Sequence, residues 1–402
     1  MKGERCRKNN EHLLIGLMSG TSLDGVDAAL VRLQTNGEGE IVDVEIEEFV
    51  CLPYSKELKH RLLTISSIET AKLDDIVTAH FGVSEWYVKA VETLLQKAGI
   101  HSGSVDAVCS HGQTIWHTPN PVPFPGPNGT VNVRSSLQIG ELSVIAERTG
   151  IPVVGNFRAR DLAAGGEGAP LVPYADFILF GGSKKGVILQ NIGGIGNATV
   201  LPPSAGINDI FAFDTGPGNM VIDAIVRRET NGDLSFDKDG RMAASGTVSD
   251  PLLQRFLDDP FYRRKPPKST GREMYDERYV ERFVQEGRRF NLTLNDLVAT
   301  ATALTAKSIV DAYHNFVFPT TKIDELIVSG GGTHNPVLMD MINAELPDWI
   351  KMTTSATYGI PDDAKEAVSF AILGHETLME RPSNVPAVTG ATRPVILGNV
   401  CF

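Results

Sequence analysis

The chain reads as an α/β protein of two domains, on three observations. At 402 residues it is too long for one ordinary core. Apolar runs of strand length alternate with stretches of helical length. One pattern, an apolar strand, a turn of small residues and a second strand, opens the sequence near Leu13 and restarts near Gly186. The restart is an internal structural repeat, although residue identity between the halves is low.

In the first half, Leu13–Met18 is too short for a helix and reads as a buried strand. The turn that follows runs from Ser19 through Gly20, Thr21, Ser22, Leu23, Asp24, Gly25 and Val26 to Asp27. Strands over Ala28–Leu33 and Ile41–Leu52 come next, then helices near Ser55–Ser66 and Thr70–Ala98. Val105–Ser110 is a buried strand. Thr118–Gly129, crowded with proline and glycine, reads as a stiff loop. A helix over Leu137–Arg148 and a short strand over Pro152–Gly155 close this half.

In the second half, the strand Gly186–Asn191 meets the turn Gly193-Gly194-Ile195-Gly196-Asn197 and the strand Ala198–Leu201. Ile210–Phe213 leads through Asp214-Thr215-Gly216-Pro217-Gly218-Asn219 into a helix. Residues 233–275 are polar and proline-rich, suited to short helices and loops. A long amphipathic helix over Leu292–Phe316 precedes the strand Ile323–Val328 and the turn Ser329-Gly330-Gly331-Gly332. A helix, a strand near Ile350–Thr354 and a helix over Asp362–Met379, begun after Pro361, complete the chain.

Composition removes several function classes. A net charge of −12 argues against a nucleic-acid surface, which needs clustered Lys and Arg. The basic run Arg5, Arg7, Lys8 sits in a polar leader, with no signal-peptide h-region after it. No window approaches the roughly 20 apolar residues of a membrane span. Cys6, Cys51, Cys109 and Cys401 have neither metal nor redox spacing. The expected home is a reducing cytoplasm.

Chemistry concentrates in a few turns. Gly20 and Gly25 lack Cβ atoms, so backbone N–H groups there can approach an anion, while Asp24 and Asp27 suit a bound cation. Turns near Gly20, Gly194 and Gly331 together suit a nucleotide, with two clamping phosphates and the third flanking adenosine. None is a P-loop and none completes a dinucleotide fingerprint. The densest stretch, Gly155 to Pro173, sets Asn156-Phe157-Arg158 and Asp161 beside Gly165, Gly166 and Gly168. Asp161 is a candidate general base and Arg158 a candidate anion contact. A solvated connector is the plainer alternative. His111 and His117 are poorly spaced for a metal and suit a polar cluster at a cleft edge. Trp116 could stack on a sugar ring or fill a core.

Taken together, Gly16–Asp27, Ser110-His111-Gly112-Gln113-Thr114, Asn156 through Pro173, Asn191–Thr199, Phe213–Asn219, Ser329–Gly332, Thr389–Ala391 and Leu397-Gly398 resemble the anhydro-N-acetylmuramic acid kinase family, in family order. The resemblance implies the two-domain actin-like ATPase fold of hexokinase and heat-shock chaperone ATPases, with an interdomain cleft that closes over the sugar. It places residues 1–155 and about 380–402 in the first domain and 156–379 in the second. It implies that ATP phosphorylates O6 of 1,6-anhydro-N-acetylmuramic acid while water opens the anhydro bridge. The products are N-acetylmuramic acid 6-phosphate and ADP, in the recycling of cell-wall peptidoglycan. By the same resemblance Gly20–Asp27 bind ATP, and the pattern of turns adds Gly193, Gly194, Gly196, Asn197 and Gly330–Gly332 as nucleotide contacts. Asp161 activates water for attack at C1, and a cytoplasmic homodimer is expected.

The sequence departs from the wider superfamily at Met18, where an aspartate is usual in the first strand. Contact with Mg²⁺ then falls to Asp24, Asp27 or Asp214. The substrate's lactyl carboxylate calls for Arg134 or Arg158, with His111 and Gln113 as further substrate contacts. The rival readings are another sugar or small-acid kinase of this fold, and an actin-like nucleotide switch that binds protein partners. The absence of a peptide-binding domain or a long exposed apolar segment weighs against the switch.

Overall fold

The computed structural model describes residues 10–20, 22–271 and 274–402; Thr21 of the first turn and the basic run at 5–8 lie outside them. The chain forms two compact units. The first runs to Leu179 and resumes over Ala364–Phe402, and the second is Phe180–Asp363.

The first unit begins with a meander of β1 (Glu11–Ser19), β2 (Gly25–Thr35) and β3 (Ile41–Pro53). β1 is buried along nearly its whole length because it pairs with β2 on one side and, in parallel, with a later strand on the other. Helices α1 (Lys56–Ile65) and α2 (Leu73–Ala98) follow, then β4 (Ala107–Gly126), β5 (Gly129–Ile139), α3 (Leu142–Thr149), β6 (Val153–Gly155), α4 (Phe157–Ala163) and α5 (Val172–Phe180).

The second unit opens with its own meander, β7 (Val187–Ile192), β8 (Ile195–Leu201) and β9 (Phe211–Pro217), followed by α6 (Met220–Glu229). Short helices between residues 238 and 263 precede α7 (Glu277–Arg289) and α8 (Leu294–Phe316). Thr293 and Asp296 start α8 with a reciprocal capping box. β10 (Glu325–Ser329), α9 (Pro336–Glu345) and β11 (Lys351–Thr354) end the unit, and α10 (Lys365–Leu378) and β12 (Asn399–Cys401) return to the first.

Among the described residues, the strand orders are β12-β6-β4-β1-β2-β3, with β5 beside β4, and β11-β10-β7-β8-β9. In each sheet the first three strands are antiparallel and the next two add in parallel. The repeat expected from the sequence is therefore a repeat of topology, carried by two α/β units.

Three expectations need correction. The proline-rich stretch Thr118–Gly129 is largely strand: β4 and β5 form a long hairpin arm in which Val122 faces Val133 and Phe124 faces Val131. Prolines alternate at 119, 121, 123 and 125, and prolines of one parity keep their missing N–H on the outer edge of a two-stranded ribbon. The expected helix from Leu137 starts only at Leu142, because β5 continues to Ile139. The unit boundaries fall at 179/180 and 363/364, not at 155/156 and 379/380. The physical reason is α10. Its backbone packs so closely on β1 that a Cβ on Gly16 would lie 1.8 Å from the Ala367 carbonyl oxygen. Its first residue, Lys365, makes a buried 2.9 Å ion pair with Asp176 of α5. Both helices thereby belong with the first sheet.

Candidate active site

β1, β4 and β6 run parallel, so their C-terminal ends share one edge of the first sheet, the usual place for a ligand in such sheets. The β1–β2 turn is shorter than expected. It spans Gly20–Asp24, because Gly25, Val26 and Asp27 already pair in β2. Val26 is fully buried, and a Cβ on Gly25 would meet the Leu52 carbonyl oxygen at 2.3 Å. Leu23 holds a left-handed backbone (φ 60°) and buries its side chain, which leaves Ser22 and Asp24 exposed. That conformation costs a branched residue about 1–2 kcal/mol. Such strain gathers at functional turns. Gln113 is fully buried and donates from Nε2 to the Gly20 carbonyl at 3.1 Å. It braces the turn from within the core.

After β6, Asn156 takes a left-handed conformation (φ 58°) and redirects the chain into α4. This helix carries Arg158 and, one turn on, Asp161. Asp161 is fully buried. Its Oδ1 accepts from Asn384 Nδ2 and from Thr389 Oγ1, both at 2.7 Å, and its Oδ2 accepts the Gly168 N–H at 2.8 Å. The connector reading fails here, since a solvated connector has no use for an enclosed carboxylate.

The glycine-rich loop after α4 is held by two arginines. Arg158 Nη1 donates to the Gly168 carbonyl at 2.7 Å, and Arg134 Nη1 to that of Gly165 at 2.9 Å. Arg158 also sets Nη2 and Nε against His111 Nε2, at 2.9 and 3.2 Å. Burial, then the neighbouring Arg158, keeps the His111 pKa well below its usual value, so the ring is neutral and accepts. His111 also lies against the Phe370 ring of α10. It supports Arg158 and is itself buried. Burial lowers Arg158 to about 10 against the opposing pull of Glu366 and Asp161. Glu366, partly exposed at the start of α10, is pushed upward by burial, with Lys365 and Arg158 pulling it back. His117 bonds to Ser136 on the arm, and Trp116 beside it is exposed.

The second unit presents a different kind of edge. β7, β9 and β10 all run toward it, and the segments after them interlock. Gly218 and Met220 N–H groups donate to the Gly194 carbonyl, and that of Asn219 to Gly193. A Cβ on Gly218 would lie 2.2 Å from the Gly193 carbonyl oxygen, on Gly330 2.5 Å from Asn191 Oδ1, and on Gly332 2.4 Å from Ile192. Gly193 and Gly331 differ: the nearest neighbours to such an atom are 3.9 and 3.8 Å away, an ordinary contact distance, so neither is closed off by a clash. Gly196 and Asn197, expected in the turn, are β8 residues opposite Gly216 and Asp214. Gly194 and Gly331 thus belong to one edge of the second unit; Gly20 belongs to the first unit.

No group of three His, Cys, Asp or Glu side chains suited to a metal occurs among the described residues. Mg²⁺ bound with a nucleotide takes one or two carboxylates alongside phosphate and water, so single acids suffice. Asp24 is exposed and ion-paired with Lys59 at 3.0 Å. Asp27 lies on β2. Asp214 accepts the Thr270 N–H at 2.8 Å, near the buried Lys268, which burial lowers to about 8.

The family model described as anhydro-N-acetylmuramic acid kinase matches residues 12–402. The chain belongs to the anhydro-N-acetylmuramic acid kinase family. A protein of that name from Caldanaerobacter subterraneus subsp. tengcongensis is 46% identical over 396 residues, 98% of each chain. Another, from Salinibacter ruber, is 44% identical over 393 residues, 98% of this chain and 97% of the other. Component A of the Acidaminococcus fermentans (R)-2-hydroxyglutaryl-CoA dehydratase is a distant likeness: 9% identity, TM-score 0.44, over 92% of this chain and 99% of that one.

Within the anhydro-N-acetylmuramic acid kinase reading, sequence reasoning missed Glu366, Asn384 and Thr389. Thr389 lay inside a quoted family motif, and Glu366 is a charge opening an otherwise apolar helix. Asn384 carried no local signal at all. No helix among the described residues is long and apolar enough to cross a membrane.

Proposed function

We propose that this chain is an ATP-dependent kinase acting on 1,6-anhydro-N-acetylmuramic acid, in peptidoglycan recycling. Family membership across residues 12–402 carries the substrate. The enclosed, donor-surrounded carboxylate of Asp161 supports the mechanism.

O6 of the anhydro sugar is part of the bridge and has no proton to remove, so a base is needed for water. Asp161 takes a proton from water as its oxygen bonds to C1. The C1–O6 electron pair passes to O6, which becomes the phosphoryl acceptor, and ADP is released. ATP with Mg²⁺, when bound, supplies the phosphoryl group and offsets charge on its phosphates. The glycine backbone at Gly193 and Gly331, and the Gly20–Asp24 turn, suit the phosphates; Asp24, Asp27 and Asp214 each offer one carboxylate for the metal. For the lactyl carboxylate, Arg134 is the better arginine. Arg158 spends Nε, Nη1 and Nη2 on His111 and Gly168, whereas Arg134 uses Nε on Pro119 and Nη1 on Gly165. Its Nη2 has no partner among the described residues. A cytoplasmic homodimer is proposed from the resemblance alone; sedimentation at the monomer mass would remove the dimer.

The deciding experiment is turnover of the anhydro sugar with ATP and Mg²⁺ in ¹⁸O-labelled water. A sugar phosphate with one ¹⁸O at C1 and none in the phosphate is expected. No sugar phosphate, with activity on glucose-type hydroxyls, would reassign the substrate.

A further inference from the structure

The two oxygens of Asp161 are not equivalent, and the difference deepens the reading of Asp161 as the base, on which it rests. A carboxylate oxygen offers two lone pairs. Oδ1 is saturated, with Asn384 Nδ2 and Thr389 Oγ1 each at 2.7 Å. Oδ2 takes one donor, the Gly168 N–H at 2.8 Å. Its other side faces Gly166, where a Cβ would sit 2.2 Å from Oδ2. Any side chain at 166 would collide with Oδ2, so glycine is required there, and no second donor reaches Oδ2 among the described residues.

The donors on Oδ1 are themselves held. An amide NH₂ has no lone pair and can only donate. Asn384 cannot swap its ends, because its Oδ1 accepts the Val395 N–H at 2.7 Å. Thr389 is fastened through its carbonyl, which accepts the Glu167 N–H at 2.8 Å, and Thr392 bonds twice to the Ala164 carbonyl. The C-terminal segment 384–392 therefore clasps the loop that follows α4.

We propose that Oδ2 is the proton-accepting atom of Asp161, and that Asn384 and Thr389 are positioning residues that reserve it by saturating Oδ1. When water gives its proton to Oδ2, the O–H electron pair goes into the new bond to C1. Oδ1 becomes a carbonyl oxygen and keeps both donors. Neither partner of Oδ1 has to move as Asp161 changes charge, which is the low-reorganisation arrangement that preorganised sites exploit. Protonation at Oδ1 would instead expel one of them.

The test is steady-state kinetics on the full chain with Thr389→Val, which keeps the shape and removes the hydroxyl, beside Thr389→Ser and Asp161→Asn. Losing a hydrogen bond to a charged group predicts a fall in kcat of about 10- to 100-fold for Thr389→Val. KM for sugar and ATP should stay within about twofold, since the loss is confined to the transition state. Thr389→Ser should recover most of kcat, which a purely packing role for the threonine would not require. If Thr389→Val proves unstable on thermal melting, Thr389→Ala carries the same expectation. Wild-type kcat in the hydroxyl-free variant overturns the inference, while an inactive Asp161→Asn leaves the base in place. An active Asp161→Asn overturns the base itself.

Discussion

The two halves of this chain share one strand plan and use its C-terminal edge in opposite ways. In the first unit the edge is built of charged side chains: Asp161, Arg158 and Arg134 hold a glycine-rich loop, and Glu366 acts on Arg158. In the second it is built of backbone, with turns so tight that Gly218, Gly330 and Gly332 tolerate no Cβ. Identical topology therefore sets where a site lies and not what it does. Under the proposed function, side-chain chemistry falls to one unit and backbone recognition to the other.

That division is open to attack, first through its largest expected effect. Asp161→Asn should lower kcat by about 10²- to 10⁴-fold, the range for a lost general base, while affinity for an ATP analogue is unchanged by calorimetry. A parallel loss of nucleotide affinity would blur the division.

A matched pair of methyl groups sharpens it. In Gly166→Ala the new Cβ meets Asp161 Oδ2 at 2.2 Å, so kcat should fall about 100-fold with ATP KM unaltered. In Gly331→Ala the nearest atom is 3.8 Å away, so melting should hardly move. Covering that backbone should nonetheless raise ATP KM about tenfold, the equivalent of ~1.4 kcal/mol. The opposite pattern of effects would break the comparison.

Arg134→Met should act on the sugar alone. Removing one charge-assisted contact raises its KM by about tenfold, with ATP KM and most of kcat retained. An unchanged sugar KM would return the lactyl carboxylate to Arg158.

The smallest effect is on stability. The pKa of His111 is held down by burial and then by Arg158, and that of His117 falls to about 4 for the same two reasons. Below the ordinary histidine pKa of roughly 6.5 the unfolded chain takes up protons that the fold refuses, so stability is lost as pH falls. For His117 the window runs from there down to about 4. Thermal melting of His111→Gln should show it less stable than the parent at pH 7.5, with the gap narrowing by pH 5.5. A constant gap would mean that His111 does not stay neutral.

Local patterns carried much of the fold. β1, β2 and β7 announce themselves as apolar runs and β3 by its alternation, and the small-residue turns at 20, 193 and 331 were visible as turns. The β4–β5 arm was not, because proline density outweighs alternation when a strand's edge is unknown. The stretch that holds Asp161 and Arg158 stood out through its charges and its glycines; that Arg158 spends its donors on His111 and Gly168 did not. The ends of the turns near Gly20 and Gly194 were misjudged, since Gly25 and Gly196 are strand residues whose lack of a Cβ serves close packing against β3 and β9.

By itself the sequence determined the repeat, the alternation of strands and helices, and the loop that bears the candidate base. Each follows from spacing within a few residues of chain. Only the tertiary structure decided which oxygen of Asp161 is covered and by whom. Asn384 and Thr389 stand 223 and 228 residues away, and reach it because the chain leaves the first unit, builds the second and returns. Hydrogen bonds across such a distance leave no periodicity to read; they exist only once α10 has docked on β1 and brought the last residues back.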